Sequence, residues 1–404
     1  MVHPPVISFS DVTAVKPTRH TEHYAFGDAL RAVAILFVVA AHIVPDINFL
    51  TAIKPVAVPI GCWGVDAFFV LSGFLLGGPY IDALLGRRTF PHAMLYARRR
   101  FLRIWPAYAV VVLIGAALQN IHHGQHSSSP TDVVAHLTML HGFSAKYIWG
   151  AGNMPLWTMA VDAQFYVALP IAAWAMLRLS GKRGELRSRV ILGSIGGAVA
   201  LSLAWRIFAT YTFPTQVWPP SADLQVVQRG IVGMGMCFAL GGLVAFSQAR
   251  GIVISTAVAV VFFAIGVCLT MIALTVAFWC PPTWLAFAPT LIDFIGACSV
   301  SCLIFGGMRL QSTPVGRFVD SRPVAGFAVY AYALYLVHEP LKLVVFSMLE
   351  RYNVHVDTLP FSLWMIGIFS IAAALAAWLL HHVVEQPFLT MKERARETAV
   401  AAIA

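Results

Sequence analysis

Ten apolar stretches, each long enough to cross a bilayer, run through the chain at roughly 28–50, 60–82, 101–120, 156–178, 190–211, 229–248, 252–276, 284–308, 323–347 and 360–388. A hydrocarbon core about 30 Å thick takes about 20 helical residues per crossing, and there every backbone polar group must be bonded within its own segment. The chain is therefore read as an all-α polytopic membrane protein of about ten transmembrane helices. A single membrane domain at 28–388 is flanked by tails at 1–27 and 389–404. Only 11% of the 404 residues are charged, about half the share of a soluble protein, which excludes an ordinary cytosolic enzyme.

The formal charge of +9 would suggest nucleic acid in a soluble domain, but here the basic residues fall in short loops. Arg87, Arg88, Arg98, Arg99 and Arg100 follow the second run, and Lys182, Arg183, Arg187 and Arg189 follow the fourth. Arg250, the group Arg309, Arg317 and Arg322, and Lys392, Arg394 and Arg396 continue the alternation, whereas the intervening loops hold only Lys54, Lys146, Arg229 and Arg351. Basic loops stay in the cytoplasm, so both termini are expected inside and no nucleic-acid partner is expected. The first 25 residues read as a cytoplasmic tail, not a signal peptide. The longest outer loop, about 121–155, holds His122, His123, His126 and Ser127 to Ser129 and is too short for a domain. All six cysteines lie in or beside apolar runs, with no CxxC and no histidine at ligand spacing, so neither disulfides nor a structural metal is expected.

A charged side chain inside a bilayer costs several kcal/mol unless it faces a cavity or a partner, so ionisable residues within the runs are the functional candidates. Counting about 1.5 Å of rise per residue puts His42 roughly 21 Å above the cytoplasmic edge, in the outer third. Asp66, Asp162, Arg206 and His338 come out in the same layer. Arg31, Arg100, Arg103 and Glu385 form a second layer at the cytoplasmic edge. Arg31 and His42 are eleven residues apart on one helix face, a rise of roughly 16 Å, which is about the reach of an extended pantetheine arm. A coenzyme A with its phosphates on the inner arginines could thus present its thioester to the histidine layer.

Plainer readings compete. Arg98, Arg99 and Arg100 sit where topology determinants sit, whereas Arg103 lies inside its apolar run. His338 stands beside Glu339 and Pro340 at an expected helix end. Asp66 belongs to the glycine-rich segment from Gly61 to Gly78, whose small residues allow close helix packing, and a structural role is expected of it. Arg206 is a candidate counter-ion for Asp162, and Cys298 and Cys302 read as core.

Together these segments resemble the acyltransferase-3 family of integral-membrane O-acyltransferases. RAVAILFVVAAH from Arg31 to His42 is similar to the family's opening pattern of Arg, ten residues and His. GVDAFFVLSGFL from Gly64 to Leu75 resembles its second helix, and RRRFLRIWPAY from Arg98 to Tyr108 its arginine-rich third segment. LWTMAVDAQFYVALP from Leu156, YALYLVHEPL from Tyr332 and VVEQPF from Val383 follow in order. The chain departs in one place: Asp162 stands where the family usually has Glu, and Ala163 where an acidic residue often follows.

The resemblance implies transfer of an acyl group, acetyl foremost, from acyl-CoA to a hydroxyl of a carbohydrate-containing acceptor such as a surface polysaccharide, glycolipid or secreted glycoside. Acyl-CoA would be a donor substrate, with no permanently bound cofactor and no metal, and the setting would be the lipids of a bacterial cytoplasmic membrane. A hydroxyl is a poor nucleophile at neutral pH, so His42 is assigned as general base, with Asp162 orienting the imidazole or holding acceptor hydroxyls. Arg31, Arg100 and Arg103 would clamp the CoA phosphates. A covalent acyl-His relay and direct transfer both stay open. The chain is expected to lack the extracytoplasmic hydrolase-like domain of some relatives. The competing class is a secondary transporter with a buried Arg/Asp/His ion or solute site, whose usual paired halves of broken helices are not evident.

Overall fold

The computed structural model describes residues 24–47, 54–122, 128–181, 184–213, 221–279, 286–352 and 358–391. The expectations for the N-terminal tail up to residue 23, for His123, His126 and Ser127, for Lys182 and Arg183, and for Lys392, Arg394 and Arg396 lie outside the described residues. Within them the chain forms helices α1 (Ala25–Ile43), α2 (Lys54–Leu84), α3 (Ala93–His122), α4 (Pro130–Leu137), α5 (Trp157–Ser180), α6 (Gly184–Thr212) and α7 (Ala222–Gln228). Then follow α8 (Ile231–Ala249), α9 (Thr256–Trp279), α10 (Ala288–Leu310), α11 (Pro314–Val319), α12 (Arg322–Val329), α13 (Ala331–Arg351) and α14 (Leu359–Leu380). There are no strands among the described residues, and ten helical spans are long and apolar enough to cross a membrane.

Three spans differ notably from the sequence expectation. The third starts eight residues early, at Ala93, so Arg98, Arg99 and Arg100 lie on α3 and not in the loop before it. The sixth starts earlier, at Ala222, and is interrupted at Arg229 and Gly230 between α7 and α8. The ninth was expected over 323–347, but the chain turns at Tyr330, so that α12 stands apart and the span runs from Ala331 to Leu349. His338 is consequently inside α13 and not at a helix end. Pro340 is tolerated there because the carbonyl it strips of its helical donor, that of Leu336, accepts instead from Asn153 Nδ2 at 2.9 Å.

Lipid tails are as apolar as leucine, so close packing and hydrogen bonds hold such a bundle together. Gly73 of α2 and Gly241 of α8 let these helices cross nearly backbone to backbone: a Cβ on either would run into the other's carbonyl, that of Phe238 or Val70. The packing role expected of the Gly61–Gly78 segment is therefore met. Two large apolar cores result. One is centred on α2, α8 and α10, and the other joins α1, α3, α13 and α14. Val65, Phe68 and Tyr166 pack against both and so mark the seam between them.

Candidate functional site

That seam contains a cavity of about 370 Å³, within the size range of small-molecule sites. Arg31 of α1, Arg100 and Arg103 of α3, Asp162 and Tyr166 of α5, and Glu385 all line it. Glu385 is positioned by a single π-helical turn, His381–Glu385, that follows α14, and its Oε2 lies 2.8 Å from Nδ1 of His381. Arg31 is paired with Asp28 one turn earlier. Among the described residues neither Arg100 nor Arg103 has a carboxylate at ion-pair distance, and the buried Nε of Arg100 has no acceptor. A donor without an acceptor beside a cavity is suited to an anionic ligand.

Thr158 and Tyr335 also line the cavity. Tyr335 Oη lies 2.6 Å from Thr158 Oγ1 and donates to the Pro155 carbonyl at 2.7 Å. The Tyr335 ring is 5.8 Å from that of His338, which in turn meets His42 edge to face at 5.1 Å. Neither histidine lines the cavity itself; Tyr335 is the side chain shared by the cavity wall and the histidine pair. His42 is half-buried and His338 wholly buried. His42 Nδ1 lies 2.7 Å from the Val38 carbonyl, and since a carbonyl only accepts, Nδ1 carries a proton, so that in the neutral ring the lone pair is on Nε2.

The five residues assigned to one outer layer thus separate sideways. His42 and His338 stay together. Asp162 belongs to the arginine cavity, in one wall with Arg100 and Tyr166 and with its buried Oδ1 unpartnered, and not among the groups around His42. Arg206 is not the counter-ion of Asp162: its Nη2 donates to Asp293 Oδ2 at 2.6 Å, its Nε to Thr290 and its Nη1 to the Gln228 carbonyl. Asp66 lies near that pair, fully buried, with one oxygen accepting from the Cys237 thiol. Depth along a helix fixes one coordinate only; the face each side chain occupies fixes its partner. Of the inner layer, Arg31, Arg100, Arg103 and Glu385 are brought to one cavity as a group.

Several participants escaped the sequence reading. Arg229, counted as a scattered outer-loop cation, sits at the α7–α8 break with its guanidinium 4.4 Å from the ring of Trp157 and 5.0 Å from that of Trp149. Glu339 joins the histidine pair, and Asp293 holds Arg206. In the segment between α3 and α5 the histidines with defined surroundings are His136 and His141, whose rings stack at 4.0 Å, with Asp132 at 3.1 Å from His136. That segment is fastened by Tyr108 and Trp105, which donate to the carbonyls of His136 and Leu137. Cys62, Cys237, Cys268, Cys298 and Cys302 are free thiols.

A family model described as an acyltransferase domain matches residues 24–382. The peptidoglycan O-acetyltransferase OatA of Listeria monocytogenes is 26% identical over 216 residues, covering 50% of this chain and 32% of the relative. YrhL of Bacillus subtilis, provisionally named a peptidoglycan O-acetyltransferase, is 25% identical over 197 residues, covering 46% of this chain and 30% of its own length. The chain thus spans about a third of the length of these curated relatives. No solved structure matches it. A match over nearly the whole helical bundle replaces the transporter alternative with an enzyme: the chain belongs to the acyltransferase-3 family.

Proposed function

We propose that the enzyme transfers an acetyl group from acetyl-CoA, taken from the cytoplasm, to a hydroxyl of a carbohydrate-containing acceptor, in a bacterial cytoplasmic membrane with both termini inside. The observation that carries this reading is the cavity whose wall holds Arg31, Arg100 and Arg103 and also Tyr335, the neighbour of the histidine pair. Phosphates of the donor lie against the arginines, whose planar forks match phosphate oxygens, and the pantetheine arm extends toward Tyr335. The peptidoglycan named for the relatives favours a sugar hydroxyl as acceptor.

In the reaction, Nε2 of His42 takes the proton of the acceptor hydroxyl as its oxygen attacks the thioester carbonyl. The carbon–sulfur bond breaks, and the departing CoA thiolate receives that proton. Nδ1–H on the Val38 carbonyl holds the imidazole in the tautomer this requires. Asp162 lines the same cavity as Arg100 and Tyr166, where it serves the donor-binding wall.

The test is calorimetry of the purified protein with acetyl-CoA, followed by mass spectrometry of envelope glycans, glycolipids and secreted glycosides from a deletion strain beside its parent. Saturable binding and a lost acetyl mass are expected; a folded protein that binds no CoA would remove the donor assignment.

A further inference from the structure

His42 near the end of α1 and the adjacent pair His338 and Glu339 inside α13 each bring a possible ligand atom within 4.8 Å of the other two. We propose that these three residues form a site for a divalent transition-metal ion of the zinc class, and that an ion bound there silences acyl transfer by occupying Nε2 of His42. The site itself follows from geometry; only the inhibitory consequence rests on His42 acting as the base.

The donor set is His₂Glu, nitrogen and oxygen ligands that suit zinc, whereas magnesium and calcium take oxygen ligands. Both imidazoles are already arranged as ligands. His42 Nδ1 is fixed on the Val38 carbonyl at 2.7 Å and His338 Nδ1 on the Leu334 carbonyl at 3.2 Å, so in each ring Nε2 is the free donor. Ligating histidines are oriented by this kind of bond from the second ring nitrogen. His338 is 0% exposed and its Nε2 has no partner, and Glu339 is 8% exposed with an unpartnered Oε2. Two orphaned polar atoms buried side by side are costly unless something joins them, and a cation does so. Glu339 Oε1 is held at 3.0 Å by Lys342 Nζ, which also reaches the His42 carbonyl at 3.2 Å. The ammonium steers the carboxylate and leaves Oε2 for the ion, while its charge weakens the site relative to a closed structural one. Tetrahedral zinc with bonds of about 2.0–2.1 Å has ligand-to-ligand edges of about 3.3 Å, so donors within 4.8 Å of one another must close by up to about 1.5 Å. The half-buried His42 provides the approach. Spacing in the sequence could not reveal the site, because its histidines come from the first and ninth spans.

Untagged wild-type protein is titrated with zinc chloride by calorimetry, and its zinc-edge X-ray absorption is recorded. One ion per chain with nitrogen and oxygen neighbours is expected; sulfur neighbours at about 2.3 Å, or no saturable binding, overturns the site. Affinity should fall at least about tenfold in His338→Ala and in Glu339→Gln and stay unchanged in His92→Ala, with folding followed by thermal unfolding. Unchanged affinity in both ligand variants also overturns the site. Acetyl transfer should be lost over the same zinc range and return on chelation; transfer unimpaired or raised in zinc-loaded protein overturns the inhibitory role and the base assignment, while intact binding shows that the site stands.

Discussion

His42 and His338 meet edge to face with ring centroids 5.1 Å apart, each with Nδ1 on the carbonyl four residues before it in its own helix. The contact joins the first transmembrane span to the ninth and leaves both Nε2 atoms available. A pair built this way is prepared for proton or ligand chemistry, because the bond that fixes each ring also fixes its tautomer.

His42→Ala should insert and fold at normal levels yet lose about 100-fold or more of its activity, the usual size of a lost general base. Fluorescence-detected size exclusion reports the folding and acetyl transfer to the identified acceptor reports the chemistry. An active His42→Ala protein would remove the mechanism.

Donor binding should separate the arginine cavity from the histidine pair. Arg31→Lys keeps the charge and loses the planar fork, so CoA affinity should fall, and Arg31→Ala should fall further. His42→Ala should bind CoA nearly as wild type does, because a base contributes mainly in the transition state. Equal CoA binding by wild type and Arg31→Ala, read by calorimetry, would refute the phosphate clamp.

The ten spans and the grouping of Arg31, Arg100, Arg103 and Glu385 are legible in the sequence because hydropathy and helical rise are properties of one segment at a time. Lateral neighbours are not. Asp162 and Arg206 are level by counting, but Asp162 lines the arginine cavity while Arg206 is held by Asp293. Arg229 resembles any loop cation until the α7–α8 break brings it against Trp157. Pro340 suggested a helix end near His338, and only the side chain of Asn153, from another part of the chain, explains why the helix continues.

Arg206 is 1% exposed, so removing one member of its pair with Asp293 leaves a buried charge without a partner, at a cost of about 3–5 kcal/mol. Arg206→Met and Asp293→Leu should each lower the thermal midpoint sharply, and the double variant should recover much of the loss. A single variant as stable as wild type would show that the pair has no structural role.

The basic loops predict which positions face the cytoplasm. On a cysteine-free background, Lys146→Cys should react with an impermeant maleimide from outside the cell, and Glu185→Cys and Val315→Cys only after the membrane is opened. Labelling of Lys146→Cys from the cytoplasmic side would invert the topology and with it the direction from which the donor enters.

The segment between α3 and α5 should loosen in acid, because its polar centre binds fewer protons folded than unfolded. Burial, and then the neighbouring His136, push His141 down from the ordinary 6.5 to about 3. Burial raises the Asp132 carboxyl, but hydrogen bonds from His136 and the Ala151 N–H, with the charges of His136 and His141, outweigh it and leave the group below its ordinary 3.8. Both shifts act in one direction. Above about pH 6.5 the imidazole of His141 is neutral in either state; as pH falls from 6.5 toward 3 the unfolded chain takes up a proton that the folded one refuses, and stability declines by up to about 1.4 kcal/mol per pH unit. Asp132 adds its loss only below about pH 4, where the unfolded carboxyl protonates first. Thermal unfolding in detergent should therefore show a midpoint that drops between pH 7 and pH 5. His141→Phe keeps a planar ring against His136 but gives up the bond from Nε2 to the Leu156 carbonyl, so it should start lower at pH 7 and change less with acid. If the variant and the wild type lose stability in parallel over that range, the titration belongs to other groups and the stacked pair is not the acid-sensitive element.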